Sequence, residues 1–247
     1  MDWFEVISEN FMVDGGRPLD HLDALAAHYR VIPHGVSMNL GGTEDPEHTR
    51  RLRALLDRLD PPWFSDHLCW NGTLERRVHD LLPLPYTRVA RDRVVDRIRR
   101  IQDATGRLFA VENVSSYLTW SDDEVAEWAF LAEVADRADC AILLDVNNVF
   151  VSASNHGFDP HTFLDAVPLD RVVQIHLAGH VVKSEGYRLD THDGPVCDEV
   201  WALYRRTIAA AGPVSTLIEW DAEIPSFERL SEEAAAARCL LPAVAGD

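Results

Sequence analysis

The chain has 247 residues, with 23 basic against 41 acidic side chains and a formal charge of −18. At about 100–200 residues per domain it makes one large domain or two small ones, and 47% apolar with 26% charged residues describes a folding chain that needs no disulfide staples. An acidic balance without a Lys/Arg block argues against wrapping nucleic acid through its phosphates, and no apolar run approaches the roughly 20 residues that span a bilayer.

Apolar, β-branched runs alternate with amphipathic stretches along the chain. A predicted strand over Trp3–Ser8 leads to a helix over Leu19–Tyr29, and a strand over Val31–Ser37 to a helix over Glu47–Leu59. Strand Trp63–Leu68 precedes helix Thr87–Thr105, and strand Leu108–Val114 precedes helix Asp123–Ala138. Strands Ala141–Val146 and Val172–Ala178, helix Val196–Ala211, strand Ser215–Trp220 and helix Glu228–Cys239 complete the series. Repeated βα units with no composition break predict parallel strands in a single domain, 1–247. No Gly-rich dinucleotide turn follows the first strand, so a (β/α)8 TIM barrel is expected rather than a doubly wound sheet. Seven strands are one short of closure, and the expectation is a barrel that lacks its first strand. Met1-Asp2-Trp3-Phe4-Glu5 does not read as a signal peptide. Four separated cysteines (Cys69, Cys140, Cys197, Cys239) form no CxxC pair and fit reduced thiols, so a cytoplasmic protein is expected.

The strand ends carry the chemistry. His34 ends the second predicted strand, Asp66-His67 the third, Glu112-Asn113 the fourth and Asp145 the fifth, with Asn147-Asn148 after it. His176 ends the sixth, with His180 four residues on, and Glu219 ends the seventh; Asp190-Thr191-His192 lies between these two. In a barrel the C-terminal strand ends build the active site. So many carboxylates in one place would repel one another, and cations relieve that. Mixed His and Asp/Glu donors suit zinc, iron or manganese, and their number suits two or three ions.

Each residue alone has a plainer explanation. A strand-end histidine such as His34 is commonly a hydrogen-bonded core residue, Asp190-x-His192 fits a surface turn, and Glu112-Asn113 or Asp145 could cap the next helix. His21, His28, His48 and His161 read as solvated, the tryptophans and other aromatics as core, and Cys69 as a small buried apolar residue. Ser121-Asp122-Asp123-Glu124 reads as a capped, solvated helix start. Six consecutive strands offering ligand types at the same end make the joint pattern informative.

The strings SENFM, HGVS, SDHLCW, HDLLPLPY, ENVSSY, LLDVNN, HLAGH, DTH and IEWD resemble the multinuclear iron-dependent oxidases that mature ribosomally made peptides, as in methanobactin biosynthesis. That family lies within the xylose isomerase-like barrels. The resemblance runs from about Asp2 to Pro225. It implies two or three iron ions (Fe2+/Fe3+), oxygen-dependent chemistry on cysteines of a precursor peptide, and a separate protein that presents the peptide. Neither nucleic acid nor membrane is expected as a partner. By motif, His34, His67, Glu112, Asp145, His176, Asp190, His192 and Glu219 match the metal ligands, with Asp145, His176 and Glu219 as the catalytic set. Asn148 stands where nuclease-like barrels have a further histidine, so it is a weaker ligand. Glu9 and His180 fall within motifs without an assigned role. Family members usually carry another strand before the first one here. The competing enzyme class is a metal-dependent phosphodiesterase or a sugar isomerase or epimerase on the same barrel, which needs no redox change.

Overall fold

A computed structural model describes residues 1–73 and 75–241. Its strands, in chain order, are β1 (Trp3–Ile7), β2 (Arg30–Gly35), β3 (Phe64–His67), β4 (Cys69–Gly72), β5 (Arg77–Pro83), β6 (Phe109–Glu112), β7 (Ala141–Asp145), β8 (Val172–Leu177), β9 (Val181–Val182), β10 (Arg188–Leu189) and β11 (Ser215–Ile218). The helices are α1 (Arg17–Ala26), α2 (Pro46–Leu59), α3 (Arg88–Thr105), α4 (Glu127–Ala138), α5 (Val146–His156), α6 (Pro160–Ala166), α7 (Asp198–Ala211) and α8 (Phe227–Leu240). Seven strands follow one another in one sheet in the order β1-β2-β3-β6-β7-β8-β11. They are the seven strands expected from the sequence. The pairs β4/β5 and β9/β10 are separate antiparallel ribbons.

The chain packs as two compact units. The first holds Met1–Glu112 with Trp120–Val125 and Glu133–Ala141, and the pairs β1/β2, β2/β3 and β3/β6 in it are parallel. Val31, Ile32, Phe64, Phe109 and Val111 of its strands are buried, with Leu52, Leu55 and Leu56 of α2 and Val94, Ile98 and Ile101 of α3. The 3.6-residue spacing of those helical positions puts them on one face. The second unit holds Asn113–Thr119, Ala126–Ala132 and the chain from Ile142 onward, with β7/β8 and β8/β11 parallel. Its core includes Leu143, Leu144, Ile175, Leu177, Phe163 and Tyr204.

Local chemistry explains where the elements differ from expectation. Helix α4 starts at Glu127, four residues later than predicted, because Asp123 is used elsewhere. Its carboxylate accepts from the backbone N–H of Tyr86 at 2.7 Å and of Trp120 at 3.1 Å, so it ties a turn and caps no helix. Helix α5 follows β7 with no connection. Its β-branched and Asn-rich sequence gives a weak helical signal, yet Asp145 caps it by accepting from Asn148 N–H at 2.6 Å. Asp159 caps α6 ahead of Pro160 in the same way. None of the seven tryptophans is buried: Trp120 is exposed and the others half-buried. Phenylalanines and Tyr204 fill the core instead. His21 and His28 are exposed as expected, but His161 is half-buried, and His48 pairs with Glu9 at 3.1 Å. Cys69 is fully buried, and burial pushes its thiol well above the usual range.

Candidate metal centre

In the first unit, strand register builds a group of three. His34 of β2 lies opposite Ser65 of β3, and His67 of β3 lies opposite Glu112 of β6. Side chains alternate with period two, so Ser65 and His67 share a face. His34 Nδ1 is 2.8 Å from Ser65 Oγ, and His67 Nδ1 is 3.1 Å from the Gly35 carbonyl. Both Nε2 atoms then converge on one carboxylate oxygen, Glu112 Oε2, at 3.4 Å from His34 and 3.3 Å from His67. The two rings meet nearly edge to face, 4.6 Å between centroids. All three residues are buried, and each brings one potential ligand atom to within 4.8 Å of the others.

Asp66 does something different. It points to the other face, accepting from Met38 N–H at 3.0 Å and His67 N–H at 2.7 Å. Burial, then the nearby Glu9 charge, raises its carboxyl above the usual range. A Cβ on Gly35 would fall 2.3 Å from Asp66 Oδ2, so only glycine fits beside it.

In the second unit, Asp145 of β7 lies opposite His176 of β8. Glu219 N–H donates to the Leu177 carbonyl at 2.9 Å, continuing the ladder one residue beyond β11. His176 Nδ1 and His192 Nδ1 approach Glu219 Oε2 at 3.0 and 3.4 Å. His192 comes from the segment after β10 with left-handed backbone, φ +47°. That geometry is held by its N–H donating to the Gly179 carbonyl and by its own carbonyl accepting from Asp221 N–H. A Cβ on Gly179 would sit 2.2 Å from the Gly194 carbonyl oxygen, so the two ends of this segment touch backbone to backbone. Asp190 Oδ1 lies 2.7 Å from His192 Nε2, and Asp221 Oδ2 lies 3.2 Å from His192 Nδ1. Asp145, His192 and Glu219 bring ligand atoms to within 4.8 Å of one another.

Charge pairing dominates this second group. Burial alone would raise the Glu219 carboxyl, but His176 and His192 hold it well below the usual range. Burial likewise opposes charge on His192, yet Glu219, Asp190 and Asp221 raise its imidazole far above the ordinary value.

Two details show that these donors fit a cation. The Gly35 carbonyl can only accept, so His67 carries its proton on Nδ1 and a neutral ring turns the Nε2 lone pair toward a carboxylate oxygen. A metal ion between such groups satisfies both. Asn148 gives a second case. Its Nδ2 donates to the Asn113 carbonyl at 3.1 Å, which fixes the amide, and its buried Oδ1 has no hydrogen-bond partner among the described residues. An acceptor buried in this way is costly unless something binds it. The mixed imidazole and carboxylate set suits iron, manganese or zinc.

Sequence reasoning passed over Ser65 and Gln174 and gave no orienting role to Asn113, Glu9 or His180. Ser65 and Gln174 lie two residues before His67 and His176, so period-two alternation could have found both. Gln174 Nε2 is 2.7 Å from His176 Nε2. Asn113 brackets Asp145, accepting from its N–H at 3.0 Å and donating to its carbonyl at 2.9 Å. Glu9 accepts from Val36 N–H and from His48, and His180 bonds Asn147.

The profile of the family described as RiPP precursor modification enzyme MbnB/TglH/ChrH matches residues 1–241. A UPF0276 protein of Anaeromyxobacter sp. (strain Fw109-5) is 53% identical over 236 residues, 94% of this chain and 83% of that protein. One from Caulobacter vibrioides (strain NA1000 / CB15N) is 52% identical over 242 residues, 96% of this chain and 85% of that protein. Among solved structures, D-psicose 3-epimerase from Clostridium cellulolyticum H10 is similar at a TM-score of 0.62 and 12% identity, covering 96% of this chain and 87% of its own. The 3-keto-D-glucoside 4-epimerase from E. coli is similar at a TM-score of 0.57 and 15% identity, covering 96% and 89%. At such identities the likeness shows fold alone, and that fold is the xylose isomerase-like TIM barrel expected from the sequence. No described helix is long and apolar enough to cross a membrane.

Proposed function

From the premise that this chain belongs to the MbnB/TglH/ChrH family of RiPP precursor modification enzymes, we propose that it is a multinuclear iron-dependent oxidase that uses O2 to modify cysteine residues of a ribosomally made precursor peptide. Membership gives an enzyme whose substrate is such a precursor and whose chemistry uses metal. Iron, cysteine and oxygen are the proposal. It extends to a single cytoplasmic domain over 1–247, two or three ions, and a separate protein that presents the peptide. The observation that carries it is the convergence of two imidazole Nε2 atoms on one buried Glu112 oxygen.

His34, His67 and Glu112 would hold metal in the first unit; Asp145, Asn148, His176, Asp190, His192 and Glu219 would hold it in the second. Iron there supplies electrons for O2 reduction and a Lewis acid that favours the thiolate of a bound cysteine. The chain's own residues prepare that chemistry. Ser65 and the Gly35 carbonyl fix the imidazoles of His34 and His67, which keeps both Nε2 atoms aimed inward. Asp145, His176 and Glu219 are the proposed catalytic set. Glu219 stays ionised against His176 and His192, and the Asp145 backbone is clamped on both sides by Asn113.

The test is oxygen uptake and peptide mass change, using iron-loaded protein with cysteine-containing precursor peptides and any partner protein encoded beside it. Turnover should require both O2 and the cysteine. A Cys→Ser peptide should fail, because a serine hydroxyl keeps its proton at neutral pH where a thiolate forms readily. Metal-dependent phosphoester cleavage or ketose epimerisation without oxygen, and no mass change on any cysteine peptide, would overturn the reading in favour of the phosphodiesterase or sugar isomerase class.

A further inference from the structure

Asp190 is held from both ends. Its backbone N–H donates to the phenol oxygen of Tyr117 at 3.0 Å, and its Oδ1 accepts from Asn147 Nδ2 at 2.6 Å. A carboxylate without a proton can only accept, so the Asn147 amide must present its nitrogen to Asp190 and its oxygen elsewhere. That oxygen lies 2.8 Å from His180 Nδ1, which therefore carries the ring proton. His180 Nε2 is left as an acceptor, and Arg188 Nη1, always protonated, faces it at 3.4 Å. Arg188 is itself fixed: its guanidinium stacks 4.9 Å above the Phe150 ring and Nε donates to Ser154 Oγ at 3.0 Å. The Phe150 ring also packs on His180, 5.4 Å between centroids. Every bond from Arg188 to Asp190 thus runs in one direction, with no free choice of tautomer or amide orientation.

We infer that Arg188, His180 and Asn147 form a one-way hydrogen-bond relay that orients the Asp190 carboxylate toward His192, which makes His180 a positioning residue for the metal centre. The inference rests on the function proposed above. It gives a role to the second histidine of the HLAGH string, which touches none of the ligand set itself. Hydrogen-bond partners of a metal ligand are worth about 10–100-fold in metal affinity, and His180 acts on Asp190 through such a partner, Asn147.

The experiment is anaerobic titration of apo-protein with Fe(II), reading stoichiometry and dissociation constant, alongside thermal melting of each apo-protein. His180→Leu removes the donor. Asn147→Asp changes one group and removes the N–H offered to Asp190. Both should weaken iron binding about 10–100-fold. His180→Asn keeps an N–H where Nδ1 stands and should restore affinity to within a few-fold of wild type, which a purely space-filling role for His180 does not explain. Should His180→Leu fail to fold, the Asn147→Asp and His180→Asn pair carries the same comparison. Wild-type affinity in His180→Leu or Asn147→Asp, or no rescue by His180→Asn, overturns the relay alone. Wild-type protein that takes up no iron overturns the reading of the centre as well.

Discussion

His67 and Glu112 end their strands and His34 lies one residue before the end of the adjacent one, whereas His192 and Asp190 join Asp145, His176 and Glu219 from a connecting segment. The first group is oriented by backbone and by one serine hydroxyl, with 1–8% of each residue exposed. The second is oriented by charge: His192 is flanked by Asp190, Glu219 and Asp221, and its side chain is 12% exposed. Sites on strands hold geometry more tightly than sites on loops. The first group is therefore seated by the strands themselves, and the second by hydrogen bonds and charge around a connecting segment.

The largest effects come from removing a carboxylate at either place. Glu112→Ala should abolish metal retention by the first group while circular dichroism still shows the folded helices, since Glu112 ends a strand and is not the N-cap of a described helix. Asp145→Ala should abolish retention by the second group and also cost about 1 kcal/mol of stability, because the cap on α5 goes with it. Normal metal content in either protein would show that its carboxylate is no ligand; equal melting temperatures would remove the distinction between them.

A middle-sized pair sharpens the contrast. Ser65→Ala removes the hydroxyl that lies 2.8 Å from His34 Nδ1 in the buried group, and should weaken metal binding about 10–100-fold. Asp221→Ala removes one of three carboxylates around His192, and Asp221 is half exposed to water. Exposed ion pairs are worth about 0–1 kcal/mol, so its effect should be several-fold at most. An Asp221 effect as large as that of Ser65 would mean that the second group is as fixed as the first.

The smallest effect concerns acid. Burial opposes the Glu9 charge, but the hydrogen bond and charge of His48 outweigh it and hold the carboxyl below its ordinary value. A depressed folded pKa stabilises above the unfolded value of 4.5, and that contribution is lost as pH falls through the folded value. Glu9→Gln should therefore narrow the stability gap between neutral pH and pH below about 4.5, as measured by urea unfolding across that range. An unchanged slope would mean that the Glu9–His48 pair contributes nothing.

Much of this was legible in the sequence because it depends on period and punctuation. All seven strands of the large sheet were predicted within a few residues, since each is a short apolar run ended by a polar residue. Glu112, Asp145 and His176 were visible for the same reason. What escaped depends on contacts between distant residues. Nothing local distinguishes Asp123, tied to Tyr86, from a helix cap. His48 looks like a solvated helix residue until Glu9 is folded against it. Helix α5 was hidden by its Val and Asn content, and its stability comes from packing and the Asp145 cap. The orienting residues Ser65, Gln174 and Asn147 are ordinary polar types whose meaning lies only in what they face.

The contact between Gly179 and Gly194 bears on how this chain can change length. The segment they bracket leaves and returns at one narrow neck, where Gly179 has no room for a side chain. Its far tip is a tight turn in which Gly186 N–H donates to the Lys183 carbonyl at 2.9 Å. Doubling a flexible loop costs only about 0.6 kcal/mol in closure entropy. Insertions at Ser184–Gly186 are therefore nearly invisible to the base of the segment, where Asp190 and His192 are fixed by their own bonds. The tip is free to diversify in length and composition, like a handle that can be recarved while its socket stays the same.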